Sequence, residues 1–224
     1  MRAIIIAAGE ATRWNNYMGV PKHLIEIEQE PIIYRTVRLL NERGVYDVHV
    51  VAPDDDRYRI DGSKIYIPKK NRKNYDADKF LNSEPLWNTE GRTVVFYGDV
   101  FFTDDAMSKI VSSEIESWRL FCRFGKSDIT GTPYGECFAQ SFYPADIPRH
   151  RKELKYIAKL RANRVITRCG GWEHARAMHG ARGKKVRDHR PYPGYIEIDD
   201  WTDDFDKPED YDRFMKYWNK AHHR

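Results

Sequence analysis

The sequence predicts an α/β fold, a single-domain three-layer α/β/α sandwich on a mixed, mostly parallel sheet. The chain opens on an unbroken, largely β-branched run, Arg2 to Ala8, ending at Gly9, which reads as a parallel strand buried on both faces. Helical spacing at Ile32, Ile33, Val37, Leu39 and Leu40 leads to a second apolar run, Val48 to Ala52, so strand, helix and strand form one right-handed βαβ unit. The pattern returns with Ile65 to Ile67, a helix around Ala77 to Leu81, and the strand Thr93 to Tyr97.

The first helix stops at Gly44, after the basic Arg43. Beyond Asp99, Thr103 caps a helix from Asp104 to Ser112, and Arg119 to Arg123 is the next strand. The second half is less regular. Cys137 to Phe142 reads as a strand, Arg149 to Asn163 as a basic helix and Glu173 to His179 as a short helix. Residues 124–194 form an excursion in which Arg161 to Arg190 would serve as a basic lid or acceptor-binding surface. Tyr195 to Asp199 alternates like a strand, and Pro208 to Lys220 closes the chain as a helix with Pro in its first turn.

The chain has 224 residues, a length suited to one domain with a full core. Hydrophobic residues make up 41% and charged residues 32%, which excludes global disorder. No run approaches the ~18 apolar residues that a membrane helix needs, so the expectation is a soluble, cytoplasmic protein. A net charge of +4 suits one polyphosphate better than a nucleic-acid backbone. Cys122, Cys137 and Cys169 show no CxxC spacing and read as core thiols, and no pair of histidines has ligand-like spacing.

Three strand-to-loop transitions carry chemistry, since ligands gather at the carboxyl ends of parallel strands. The first is Ala7-Ala8-Gly9-Glu10-Ala11-Thr12-Arg13, followed by Pro21-Lys22. Small residues let backbone N–H groups approach a phosphate, while Arg13 and Lys22 supply cations for a triphosphate. The second is Tyr97-Gly98-Asp99, where an acidic residue at a strand end offers a hard oxygen to Mg²⁺. As Thr103 already caps the next helix, Asp99 is not needed there. The third holds Asp199 at the end of the last strand and Asp206 behind it. Asp199 leads on expected geometry, because Asp206 also fits a helix N-cap before Pro208 and Glu209.

At these residues the chain resembles the nucleotidyltransferases of the sugar-phosphate, phosphocholine cytidylyltransferase and molybdenum-cofactor guanylyltransferase type. Their opening, Ala-Ala-Gly-x-Gly-Thr-Arg then Pro-Lys-x-Leu, is similar to Ala7 to Arg13 and to Pro21-Lys22-His23-Leu24, with Ala11 in place of the second Gly. Tyr97-Gly98-Asp99 resembles their metal motif, and Glu197-Ile198-Asp199, or else Asp204-Phe205-Asp206-Lys207-Pro208-Glu209-Asp210-Tyr211, resembles their second acidic motif. The resemblance implies a Rossmann-like, GT-A-like fold. It also implies Mg²⁺-dependent transfer of NMP from an NTP to a small phosphorylated acceptor, with release of pyrophosphate.

Within that resemblance Ala8, Gly9, Glu10, Ala11, Thr12, Arg13, Lys22, Ser83 and Gly98 would bind nucleotide, Ser83 within a base-reading segment resembling Asn82 to Leu86. Lys22 would neutralise the α-phosphate, Arg13 would hold the leaving pyrophosphate, and Asp99 with Asp199 or Asp206 would carry the metal. Two other functions fit parts of the sequence. A GT-A-type glycosyltransferase also needs a metal-binding acid at a strand end, but Gly98-Asp99-Val100-Phe101 lacks the second Asp of Asp-x-Asp. The arginines from Arg161 to Arg190 would also suit a nucleic-acid or protein docking surface.

Overall fold

A computed structural model describes residues 1–9, 13–69, 76–188 and 190–222. The strands are β1 (Arg2–Ile6), β2 (Glu26–Ile27), β3 (Glu30–Pro31), β4 (Val48–Val51), β5 (Lys64–Tyr66), β6 (Thr93–Tyr97), β7 (Val100–Phe101), β8 (Arg119–Arg123), β9 (Glu136–Phe142), β10 (Tyr195–Glu197) and β11 (Asp203–Asp204). The helices are α1 (Ile32–Glu42), α2 (Asp76–Leu81), α3 (Asp104–Ser112), α4 (Ile147–Ala162), α5 (Gly171–Met178) and α6 (Pro208–His222).

Seven strands form the central sheet in the order β10-β8-β9-β6-β1-β4-β5. β6, β1, β4 and β5 are parallel, β10 is parallel to β8, and β9 runs antiparallel to both its neighbours. The predicted mixed, mostly parallel sheet is therefore present. Side-chain alternation along β1 explains the three layers. Ala3 and Ile5 pack with Ile33, Val37 and Leu40 of α1 and Ile110 of α3, whereas Ile4 and Ile6 pack with Leu154 and Ile157 of α4 and Ala175 of α5. Burial on both faces is why Ala3 to Ile6 are all apolar.

The expected strand Arg2 to Ala8 is shorter as a ladder: it ends at Ile6, the Ala7 N–H makes a last bond to the Val51 carbonyl at 2.7 Å, and Ala8 and Gly9 have left the sheet. A third apolar cluster joins Trp14, Ile25, Phe101, Phe205, Tyr211, Phe214 and Trp218, fixing α6 and the preceding chain beside β7. α3 is capped as expected, the Thr103 hydroxyl accepting from the Ala106 N–H at 3.0 Å. No helix among the described residues is long and apolar enough to cross a membrane.

The basic stretch from Arg161 to Arg190 is not one solvent-facing surface. Arg176 is 1% exposed, with its guanidinium over Trp172 and donating to the Val186 carbonyl, and Arg182 pairs with Glu153 at 2.9 Å. Arg161, Arg168 and Arg187 instead line a cleft, which argues against a docking stripe for nucleic acid.

Candidate active site

The carboxyl ends of β1 and β6 set the site. Gly98 follows β6 and donates its N–H to the Ile6 carbonyl at 3.0 Å; a Cβ there would lie 2.8 Å from the Ile6 oxygen, so only Gly lets the chain turn this close to β1. Asp99 thus stands beside the loop that leaves β1. Pro21 opens a single 3-10 turn, Lys22–Leu24, closed by the Leu24 N–H on the Pro21 carbonyl at 2.8 Å, which fixes Lys22 with only 9% exposure.

The third strand end arrives by an antiparallel pairing. β11 pairs with β7, Asp203 opposite Phe101 and Asp204 opposite Val100, and the Phe205 N–H donates to the Asp99 carbonyl at 3.1 Å. Extended chain alternates its faces. Asp203 and Phe205, both fully buried, face the body of the protein, while Asp204 and Asp206 line the cleft with Asp99.

The Lys22 ammonium is ion-paired with Asp99 and lies 3.3 Å from Asp206, while Arg13 reaches the other Asp206 oxygen at 2.7 Å. Burial opposes a charge on Lys22, but the Asp99 and Asp206 carboxylates override it and hold the ammonium above its ordinary range. Burial would likewise raise the Asp99 carboxyl, yet Lys22 outweighs it and keeps the group well below the carboxylate range. Burial opposes a charge on Arg13, but Asp206 and the anionic groups around it outweigh burial and hold the guanidinium above its ordinary range. His23, lowered to about 4 by burial, is neutral and contacts the Tyr58 hydroxyl at 3.3 Å.

Behind Asp206 stands a second acidic group. Glu136, Asp204 and Asp206 each present one carboxylate oxygen within 4.8 Å of the others. Burial and then Asp206 push the Glu136 carboxyl up, and burial and then Glu136 push Asp204 up. Asp204 Oδ1 is buried with no hydrogen-bond partner. Hard oxygen donors, like charges in contact and an unsatisfied buried oxygen fit a divalent cation. Glu136 is no candidate from sequence, and Asp204 enters there only as the first residue of a motif whose ligand is Asp206; the usable signal is the two-residue alternation that puts Asp204 on the face of Asp206, and the start of β9 directly after Gly135.

Burial holds the Cys137 thiol, at the cleft wall, well above its ordinary range. The cleft has a volume of about 800 Å³. Gly9, Arg13, Lys22, Asp99 and Asp206 lie on it, and Tyr134, Trp172, Glu173, Arg161, Arg168 and Arg187 complete its lining.

Four expected residues, Asp199, Ser83, Ala8 and Gly98, are not among those that line the cleft. Asp199 is exposed, absent from the cleft lining, and follows β10; β8 and β9 intervene between β10 and β6, so Asp199 and Asp99 are not neighbouring strand ends. Asp206 is not an N-cap either: the Asp210 carboxylate accepts from the N–H groups of Asp206 and Lys207, at 3.1 and 2.9 Å, leaving the Asp206 carboxylate to the cleft. Ser83 is fully buried, its hydroxyl donating to the Phe80 carbonyl and accepting from Trp87 Nε1, so it faces the core and not the cleft. Ala8 packs against the apolar cluster below the cleft. Glu10, Ala11 and Thr12 lie outside the described residues.

Residues 3–72 match the family model of the MobA-like NTP transferase domain. An 84-residue stretch is 38% identical to the bifunctional IPC transferase and DIPP synthase of Thermococcus kodakarensis, covering 38% of this chain and 17% of that protein. Three solved structures share the fold. A putative glucose-1-phosphate thymidylyltransferase from Bacillus anthracis superimposes with a TM-score of 0.62 at 17% identity, covering 97% of this chain and 94% of that one. The CTP:phosphocholine cytidylyltransferase of Streptococcus pneumoniae gives 0.58 at 16% identity, with 97% and 98% covered. The inositol-1-phosphate CTP transferase of T. maritima gives 0.60 at 14%, with 96% and 95% covered. The chain therefore carries a MobA-like NTP transferase match over residues 3–72 on a fold shared, across nearly its whole length, with the nucleotidyltransferases.

Proposed function

We propose that the protein transfers a nucleotidyl group from an NTP to the phosphate of a small acceptor and releases pyrophosphate. The observation that carries this reading is the Lys22 ammonium between Asp99 and Asp206, beside the loop that leaves β1. An acceptor phosphate is already an anion, so it needs no general base to attack the α-phosphorus. It needs to be aligned with the P–O bond that breaks, and the charge that builds must be neutralised.

Lys22, as a compact cation, would leave its carboxylates to hold the α-phosphate oxygens as charge grows. Arg13 would exchange Asp206 for the β- and γ-phosphates and retain the pyrophosphate as it departs. Asp99 and Asp206, with Glu136 and Asp204 behind them, would hold Mg²⁺, which would supply Lewis-acid stabilisation of phosphate charge. Arg161, Arg168 and Arg187, which also line the cleft, would give it the charge to receive a phosphorylated acceptor. Glucose 1-phosphate, phosphocholine and inositol 1-phosphate, from the names of the similar proteins, are the first acceptors to try. A nucleotide-sugar glycosyltransferase is disfavoured because Phe101 fills the second position of an Asp-x-Asp and is buried in the core.

Incubation with each of the four NTPs and a panel of phosphorylated sugars, inositols and amino alcohols, followed by pyrophosphate, tests the reading. Release that requires an NTP, an acceptor and Mg²⁺ together supports it. Turnover of a nucleotide-sugar with no pyrophosphate from any NTP overturns it.

A further inference from the structure

The short helix α2 brings a cation to the cleft that the sequence treats as scaffold. Lys79 lines the same cleft as Gly9, Arg13, Lys22 and Asp99. Its side chain lies across Gly9: a Cβ built on that glycine would be 2.9 Å from Lys79 Cε and 3.0 Å from Nζ. Gly9 therefore does more than permit a turn, for its missing side chain is the seat of an ammonium group. The neighbouring Phe80, 3% exposed, anchors α2 by packing on Trp87, His150 and His174, with ring centroids 5.0–5.8 Å apart. The Lys79 charge is felt at Asp99 and His23, which places it electrostatically within the site.

We propose that Lys79 is a third phosphate ligand of the nucleotide site, delivered by α2 over Gly9 to the triphosphate. This rests on the nucleotidyltransferase reading and adds a residue to it. A Lys at this place would grip any nucleotide through its phosphates and be indifferent to the base.

The test compares Lys79→Met, Lys79→Arg and Gly9→Ala with the unsubstituted protein, by calorimetric titration with Mg²⁺ and each of the preferred NTP, its nucleoside and inorganic tripolyphosphate. Loss of a charge-assisted hydrogen bond predicts roughly tenfold to hundredfold weaker NTP and tripolyphosphate binding in Lys79→Met, unchanged nucleoside binding, and recovery of most affinity in Lys79→Arg. Gly9→Ala, which displaces only the flexible end of Lys79, should weaken the same two ligands, and adding it to Lys79→Met should cost little more. NTP affinity unchanged in Lys79→Met, or NTP and nucleoside weakened equally, overturns the inference alone. If the unsubstituted protein binds no NTP, the nucleotidyltransferase reading falls and this one with it. Should Lys79→Met not fold, Lys79→Arg and Gly9→Ala still decide, since full tripolyphosphate affinity in Gly9→Ala contradicts the seat assigned to Lys79.

Discussion

Asp203 and Asp204 are consecutive residues of one two-residue strand, and their surroundings are built in opposite ways. Asp203 is paired with Arg123 at 2.6 Å and accepts hydrogen bonds from the Ser127 and Thr130 hydroxyls. It ties the loop after β8 to β11 and leaves nothing wanting. On the other face Asp204 stands against Glu136 and Asp206 with a buried oxygen unpartnered. Strand alternation makes the first a structural carboxylate and the second part of a site that wants a counter-charge. The difference teaches that local satisfaction, more than residue type or burial, separates the two roles.

That contrast can be broken most readily at Asp203. Its replacement by Ala strands Arg123, 8% exposed, and should lower the unfolding free energy by about 3–5 kcal/mol in chemical denaturation. A loss no greater than that of Asp204→Ala would erase the distinction. On the cleft side, Lys22→Ala and Asp99→Ala should each lower turnover roughly a hundredfold, about 2.7 kcal/mol, with folding retained by circular dichroism. Unchanged pyrophosphate release in either variant would remove that residue from the mechanism.

A buried polar pair away from the cleft sharpens the point, because an unsatisfied group is not by itself a site. His150 Nδ1 and His174 Nε2 are 3.2 Å apart in the aromatic core, and the outward nitrogen of each has no partner. Burial lowers His174 to about 3 and pushes His150 well below its ordinary value. Below about pH 6.5 the unfolded chain takes up protons that the folded one refuses, so stability should fall with pH by ~1.4 kcal/mol per unit for each histidine. A His174→Asn variant should lose about that much of the slope between pH 4.5 and 6, with nucleotide binding at pH 7.5 unaltered. The smallest expected effect is at Asp204. As its carboxyl is held up by burial and Glu136, its ionised form at neutral pH opposes folding, and Asp204→Asn should raise Tm by roughly 2–4 °C at pH 8 in the absence of divalent cations. A lowered Tm would mean that Asp204, like Asp203, serves the fold.

Much of the architecture was legible in the sequence. The buried run from Arg2, the periodicity of α1 and the Thr103 cap express local rules, and each stands where those rules put it. The convergence of Lys22 and Asp99 was legible too, since both follow parallel strands that are adjacent in the sheet. The choice between Asp199 and Asp206 was not. It depends on β8 and β9 entering the sheet between β6 and β10, and on β11 pairing with β7, which are long-range events with no local signature. The cap from Asp210 was equally hidden, because Asp206, Glu209 and Asp210 all suit a helix start. Ser83 was misplaced for a related reason: its hydroxyl is consumed by Trp87 and Phe80, partners that only the folded turn brings within reach.

The central claim is that the acid at the cleft's third strand end is Asp206, joined to Lys22 and Asp99. It is tested most directly by Mg²⁺-dependent pyrophosphate release in Asp206→Asn and Asp199→Asn under identical conditions. The account predicts a loss of a hundredfold or more in Asp206→Asn and full activity in Asp199→Asn. Full activity in Asp206→Asn, with the loss in Asp199→Asn, would contradict it.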